Sequence, residues 1–321
     1  LATQTTSGKA FEYAIAHSVH CLISQLGPCE LIDNNAMKNA ALEFSSLPET
    51  QQVELMLAAM PAVRHLLHFE PVLERHTENS SRILLSLQSD QSGGEGDVRD
   101  IVISNERDWQ IGISAKHQHE AVKHSRISAK IDFGEKWIGI PCSGDYFREI
   151  TPVFDSLAEL KKANALWSDL QDKESTIYGV LLDAFRKELL RIDRENPGSA
   201  ASALACYLIG KKDFYKVMKF QHMNKIQVFN FNGSLNSSDG RTKPRVHLDR
   251  LKLPRRIVEF DYKIDENGLK SNTTLELICD GGWQISFRIH NASSRVEPSL
   301  KFDIGLVGRP NSLPTFNVLW Q

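Results

Sequence analysis

Two residues of opposite charge stand at matched ends of two short runs with β patterning. In GDVRDIVISNERDWQIGISAKHQHEAVKHSR, Gly96 to Arg126, Asp100 leads into the apolar part of DIVIS and Lys116 closes WQIGISAK. Side chains alternate along a strand, so Ile111, Ile113 and Ala115 face a core while Gly112, Ser114 and Lys116 face the other way. A turn at Asn105 to Asp108 would fold the two runs into an antiparallel hairpin. The start of one strand then meets the end of the other, and Asp100 and Lys116 become neighbours. Such a pair is either a cross-strand salt bridge of small worth on a sheet surface or part of a reactive site.

A third charged residue bears on that choice. Phe11, Ala14, Ile15, Val19 and Leu22 form a helical stripe, and Glu12 lies along it, with Ile15 and Ala16 one turn on. A carboxylate among apolar neighbours is costly unless it is paired or binds a metal; the plainer alternative is a snorkelling or capping glutamate near a helix start. Two acids that converge suit a hard divalent cation such as Mg²⁺. A lysine beside that ion can orient or deprotonate a water and stabilise charge on a phosphate oxygen. Phosphodiester hydrolysis requires this combination.

The elements that must position these residues follow from periodicity. Residues 9–76 read as helical, with SSLPETQQVELMLAAM opening a further helix, Pro48 just inside it and Glu49 in its first turn. Residues 82–140 read as strands: RILLSLQ, the flexible SDQSGGEGD, DIVIS and WQIGISAK, then a polar helix near Gln118 to Ala129. Residues 143–219 read as helical again, broken at NPGS, and the chain from Lys225 onward as β. The clearest hairpin is TTLELICDGGWQISFRIH, with Asp280-Gly281-Gly282 as its turn and Trp283, Ile285, Phe287 and Ile289 alternating with polar residues.

Composition bounds the function classes. The chain has 321 residues, 41% of them hydrophobic, enough for one large domain or two smaller ones and too many for a disordered chain. No apolar run is long enough to span a membrane, and the N-terminus lacks the pattern of a signal peptide. Five scattered cysteines without zinc-ligand spacing fit reduced thiols in a cytoplasm. The net charge of -2 means that any nucleic-acid site is a local basic patch. Candidate patches are Lys123 to Lys130, GKKDFYKVMK from Gly210 to Lys219, and RTKPRVHLDRLKLPRR from Arg241 to Arg256; each is otherwise a solvated face.

GKAFEY, GDVRDIVI, IGISAKHQHEAVKHSR and IDFGEKW resemble the HaeIII-type family of type II restriction endonucleases. The resemblance continues through PCSGDYFREI, ALWSDLQDKE and KKDFYKVMK. That family resembles the PD-(D/E)XK nuclease superfamily, in which an acid starts one strand and an acid-x-lysine triplet ends the next. The implied fold is α+β, a mixed sheet flanked by helices, with a nuclease core in residues 1–224 and a β-rich region in 225–321 for DNA recognition. Asp100 matches the first acid, with Asp97 as its competitor, and Lys116 matches the lysine. Ser114 stands where the second acid is expected, and Glu12 matches the acid that many members carry on the first helix. The implied catalytic set is Asp100, Lys116, Glu12 and Ser114, with Asp100, Glu12 and Ala115 at a Mg²⁺ ion.

The resemblance implies cleavage of double-stranded GGCC, leaving a 5′-phosphate and a 3′-hydroxyl, and a partner methyltransferase that protects host DNA. A palindromic target favours a homodimer, although a monomer could cut the strands in turn. His117, His119 and His124 are placed for phosphate contact rather than zinc, and Glu120 is a further ligand or a helix-start residue. Lys123 and Arg126, on one helix face, either grip the DNA backbone or are solvated. Lys243, Arg245, Arg250, Arg255 and Arg256 are candidates to approach the grooves, where arginine paired to guanine is the commonest specific contact. Trp109 and Trp137 read as core aromatics. Because Ser114 departs from the pattern, a non-cleaving DNA-binding protein on the same fold stays open, as does a repair or structure-specific nuclease.

Overall fold

In the computed structural model, residues 4–89, 97–105, 109–117, 121–238, 243–308 and 310–320 are described; for residues 4, 5 and 121–123 this extends to the backbone alone. The chain is α+β and divides into two compact units. One comprises residues 1–120, 210–252 and 312–321, the other 121–209 and 253–311. These lines differ from a single cut at residue 224, because strand β7 (Met223–Phe229) is hydrogen-bonded into the sheet of the first unit.

The first unit holds a mixed seven-stranded sheet in the order β1-β2-β3-β4-β6-β7-β12. Its strands are β1 (Cys29–Leu31), β2 (Ile83–Leu87), β3 (Ile101–Asn105), β4 (Gln110–His117), β6 (Phe214–Lys219), β7 and β12 (Thr315–Leu319). β4 runs antiparallel to β3 and parallel to β6. Helices α1 (Gln4–Ser24), α2 (Asn35–Ser46) and α3 (Glu49–Phe69) cover it. The expected stripe holds: Phe11, Ala14, Ile15 and Val19 are fully buried, in one core with Ile111, Ile113 and Ala115. Pro48 is the N-cap of α3 rather than its first residue. Among the described residues no helix is long and apolar enough to cross a membrane.

The second unit is an antiparallel five-stranded sheet in the order β5-β11-β10-β9-β8, built from β5 (Ala121–Ile127), β8 (Ile257–Ile264), β9 (Lys270–Cys279), β10 (Gln284–His290) and β11 (Leu300–Leu306). It comes with helices Gly144–Lys162, Val180–Glu195 and Ala200–Ile209. The β9–β10 hairpin is as expected, and Gly281 and Gly282 take the positive φ of its turn. Trp283, Ile285, Phe287 and Ile289 are buried, as is Trp137. Phe185 packs against Phe133, Phe260, Phe287 and Phe302.

Two expectations are corrected. Residues 121–127 form a strand, not a polar helix: β5 pairs with β11, burying Ser125 and Ile127 and exposing His124 and Arg126. In a strand with a period of two, the three-residue spacing of Lys123 and Arg126 no longer aligns them. Residues 214–219 are a strand too, because β6 is the buried parallel partner of β4. The turn at 106–108, the loop at 90–96, His119, Glu120 and Arg241 lie outside the described residues.

Candidate active site

Backbone pairing fixes where Asp100 stands. Its N–H donates to Ile113 O at 2.9 Å, and its carbonyl accepts from Gln88 N at 2.8 Å. The β3–β4 register pairs Ile101 with Ile113, so Asp100 falls beside Ser114. One oxygen, Oδ2, takes three donors: Ala115 N–H at 2.8 Å, Ser114 Oγ at 3.0 Å and Lys116 Nζ at 3.1 Å. The expected neighbours are therefore in contact, each with about a fifth of its side chain exposed. Ser114 is buried and serves the carboxylate as a neutral donor.

Glu12 joins the same charge cluster from α1. It is 7% exposed, and Lys9 Nζ lies 3.0 Å from its Oε2. Burial first, and then the negative charge of Asp100, push its carboxyl up to about 7, against the lowering by Lys9 and Lys116. Two carboxylates in one charge cluster are an all-oxygen donor set, which suits a hard divalent cation. The residues fit such an ion. Among the described residues no cluster of three or more His, Cys, Asp or Glu is arranged for a metal.

Asp97, the competing acid, is held differently. Arg99 grips it with Nε to Oδ1 at 2.8 Å and Nη2 to Oδ2 at 2.7 Å, and Lys212 Nζ lies 3.1 Å from Oδ2. Burial raises the carboxyl, but these partners outweigh it and hold it below the usual range. The Arg99 stem packs over Gly112, its Cγ only 2.6 Å from where a Cβ would stand, so glycine is required there.

The remaining candidates divide between the units. In the first, His117 ends β4 with its ring edge-on to Phe11 at 6.4 Å. Arg245 is engaged with Glu74 at 3.1 Å and His68 at 3.3 Å. Lys243 and Arg250 are exposed. In the second unit, His124 is paired with Asp303 at 2.7 Å, and Arg126 donates to Ser299 at 3.0 Å. Arg255 and Arg256 are exposed there, and their backbone N–H groups are capped by Asp280. Of Lys123 only the backbone is described. Sequence reasoning missed Arg99, Lys212 and the buried Lys216, whose register partner on β4 is Ser114. Lysines interrupt the apolar pattern of FYKVMK, so no local signal placed Lys216.

An acid on the first helix, an acid and a lysine at the ends of adjacent strands, and a mixed sheet flanked by helices make this a restriction-endonuclease-like nuclease fold. The sequence model of the HaeIII restriction endonuclease family matches residues 8–310. The chain is 35% identical over 319 residues to the type II restriction enzyme HaeIII of Haemophilus aegyptius, covering 98% of each. It belongs to the HaeIII restriction endonuclease family and is a site-specific deoxyribonuclease whose substrate is double-stranded DNA. No solved structure matches it.

Proposed function

We propose that this endonuclease cuts the palindrome GGCC in double-stranded DNA with Mg²⁺, in the cytoplasm, alongside a methyltransferase that protects the same sequence in host DNA. Asp100 and Glu12, with the backbone of Ala115, would hold the ion. When bound, a divalent cation supplies Lewis-acid polarisation of a phosphate oxygen and makes a water more acidic. Type II restriction enzymes as a class are metal-dependent nucleases.

The chain's own groups divide the remaining work. Ser114 Oγ and the Ala115 N–H fix the Asp100 carboxylate. Lys9 holds Glu12. Lys116 Nζ donates toward the attacking water and the scissile phosphate, steadying the negative charge that builds there. The water gives up a proton to solvent and forms the new P–O bond; the 3′ oxygen leaves and takes a proton from solvent. His117, His119, Lys123, His124 and Arg126 contact phosphates. Lys243, Arg245, Arg250, Arg255 and Arg256, with the β-rich region 225–321, serve recognition, and a homodimer matches the two-fold target.

The observation that carries this reading is the contact of Lys116 Nζ with Asp100 Oδ2 at 3.1 Å, beside the buried carboxylate of Glu12. Plasmid incubated with the protein and Mg²⁺, followed by end mapping, tests it. Discrete fragments ending within GGCC are expected. A smear would point to a non-specific or repair nuclease. Intact plasmid would point to a non-cleaving DNA-binding protein, the reading that the Ser114 hydroxyl in place of a carboxylate favours.

A further inference from the structure

Asp213, buried just before β6, organises the loop that follows β7. Its carboxylate accepts the N–H groups of Phe231 at 2.7 Å, Asn232 at 2.9 Å and Ser234 at 2.8 Å, and the Ser234 hydroxyl at 2.8 Å. Asn230 closes the same loop: its Oδ1 accepts from Leu235 N at 3.3 Å and its Nδ2 donates to Leu235 O at 3.4 Å. Two buried side chains thus fix the backbone of residues 230–235.

Gly233 lies within that fixed loop at φ +80°, where other residues are strained. The Arg250 side chain lies over the same glycine. The guanidinium of Arg250 fills the space a Cβ would take, with Nη2 2.7 Å and Cζ 2.8 Å from that point. The chain beneath Arg250 is held as well. Leu248 is buried in the core, Leu251 is buried too, and Leu251 N–H donates to Asn230 O at 2.9 Å. Arg250 itself is exposed, and among the described residues its guanidinium has no hydrogen bond or ion pair. Arg245, five residues earlier, is already engaged by Glu74 and His68.

We infer that Arg250 is a base-reading side chain of this endonuclease, its guanidinium seated on Gly233 and donating as a planar fork to O6 and N7 of a guanine in the recognition site. A planar fork loses less freedom per hydrogen bond formed than a flexible ammonium does. Its donors have no protein partner to give up. The two major-groove acceptors of guanine match it bidentately, and a site made only of G·C pairs offers them in every pair.

The inference rests on the endonuclease reading, so the test begins with the wild-type protein. End mapping defines the site; an absence of discrete fragments would overturn that reading, and the role of Arg250 with it. Dissociation constants are then measured without divalent cations, on duplexes carrying the mapped site with guanine or with 7-deazaguanine, which lacks N7, and on a scrambled duplex. Wild type is expected to bind the 7-deaza site about 5- to 150-fold more weakly than the guanine site. Arg250→Ala should bind both sites equally. A variant that still discriminates between guanine and 7-deazaguanine as wild type does would overturn the assignment. So would an Arg250→Ala that weakens cognate and scrambled duplexes alike and flattens the salt dependence by about one unit, as a phosphate contact does.

Discussion

Asp97 and Asp100 stand three residues apart and are held in opposite ways. Asp97 is saturated by cations: both oxygens lie on Arg99, and Lys212 adds a third contact. Asp100 gathers two neutral donors and one lysine on a single oxygen; among the described residues its Oδ1 takes no hydrogen bond. An acid whose charge is already neutralised has little to offer a metal ion, whereas an acid with an open oxygen beside a second buried carboxylate does. The difference separates an acid already engaged by Arg99 and Lys212 from one with an oxygen open to a ligand.

The sharpest way to break this contrast is at Lys116. Lys116→Ala is expected to slow cleavage by about 10²–10⁴-fold while DNA affinity stays close to wild type, measured by single-turnover cleavage and by binding without divalent cation. Near-wild-type cutting would remove the lysine from the mechanism. Glu12→Ala should follow, with a loss of about 10²-fold in Mg²⁺-supported cleavage. A fully active Glu12→Ala protein would mean that Glu12 does not compensate for Ser114, and another acid such as Glu120 would have to be sought.

Asp97→Ala sharpens the contrast from the other side. It leaves the buried Arg99 guanidinium without its carboxylate, so a loss of roughly 3 kcal/mol in unfolding free energy is expected, with Mg²⁺-dependent cleavage surviving at temperatures where the variant is folded. Inactivity in the folded variant would shift the metal role toward Asp97.

The smallest effect concerns a second buried glutamate. Burial pushes Glu70 up to about 7, against hydrogen bonds from Tyr215 Oη at 2.5 Å and Asn236 N at 3.0 Å. Its folded value lies above the ordinary 4.5, so the native chain keeps a proton that the unfolded chain has lost between about pH 4.5 and 7. Stability from this group is complete below 4.5 and is lost as pH rises through 7. Glu70→Gln keeps an acceptor for both donors, so it should flatten that fall, gaining on the order of 1 kcal/mol over wild type at pH 8. Thermal unfolding at pH 5 and pH 8 checks it; an equal fall in both proteins would mean that Glu70 does not titrate with folding.

The pairing of Asp100 with Lys116 was legible because strict alternation in WQIGISAK and the short turn leave one sensible hairpin register. Glu12 was legible because a period of 3.6 places it among Phe11, Ile15 and Ala16. β5 and β6 were not. His124 of β5 faces Asp303, 179 residues along, so the strand owes its existence to a partner that local sequence does not contain. In β6, buried lysines interrupt the apolar pattern; Lys219 is tolerated because Glu54 lies 2.6 Å from its Nζ and the Trp320 ring 4.6 Å away. The Arg99 grip on Asp97 was hidden although its partners are only two residues apart. Nothing at VRDI says which neighbour of a carboxylate will turn back to neutralise it.

Cation binding to Asp97→Asn and Asp100→Asn, side by side, tests the central contrast most directly. Mn²⁺, followed by the spin resonance of the free ion, is a suitable probe for a hard-cation site. Asp100→Asn is expected to weaken Mn²⁺ binding by more than about tenfold, and Asp97→Asn to leave it nearly unchanged. Loss of Mn²⁺ binding in Asp97→Asn with retention in Asp100→Asn would contradict the assignment of Asp100 as the strand ligand.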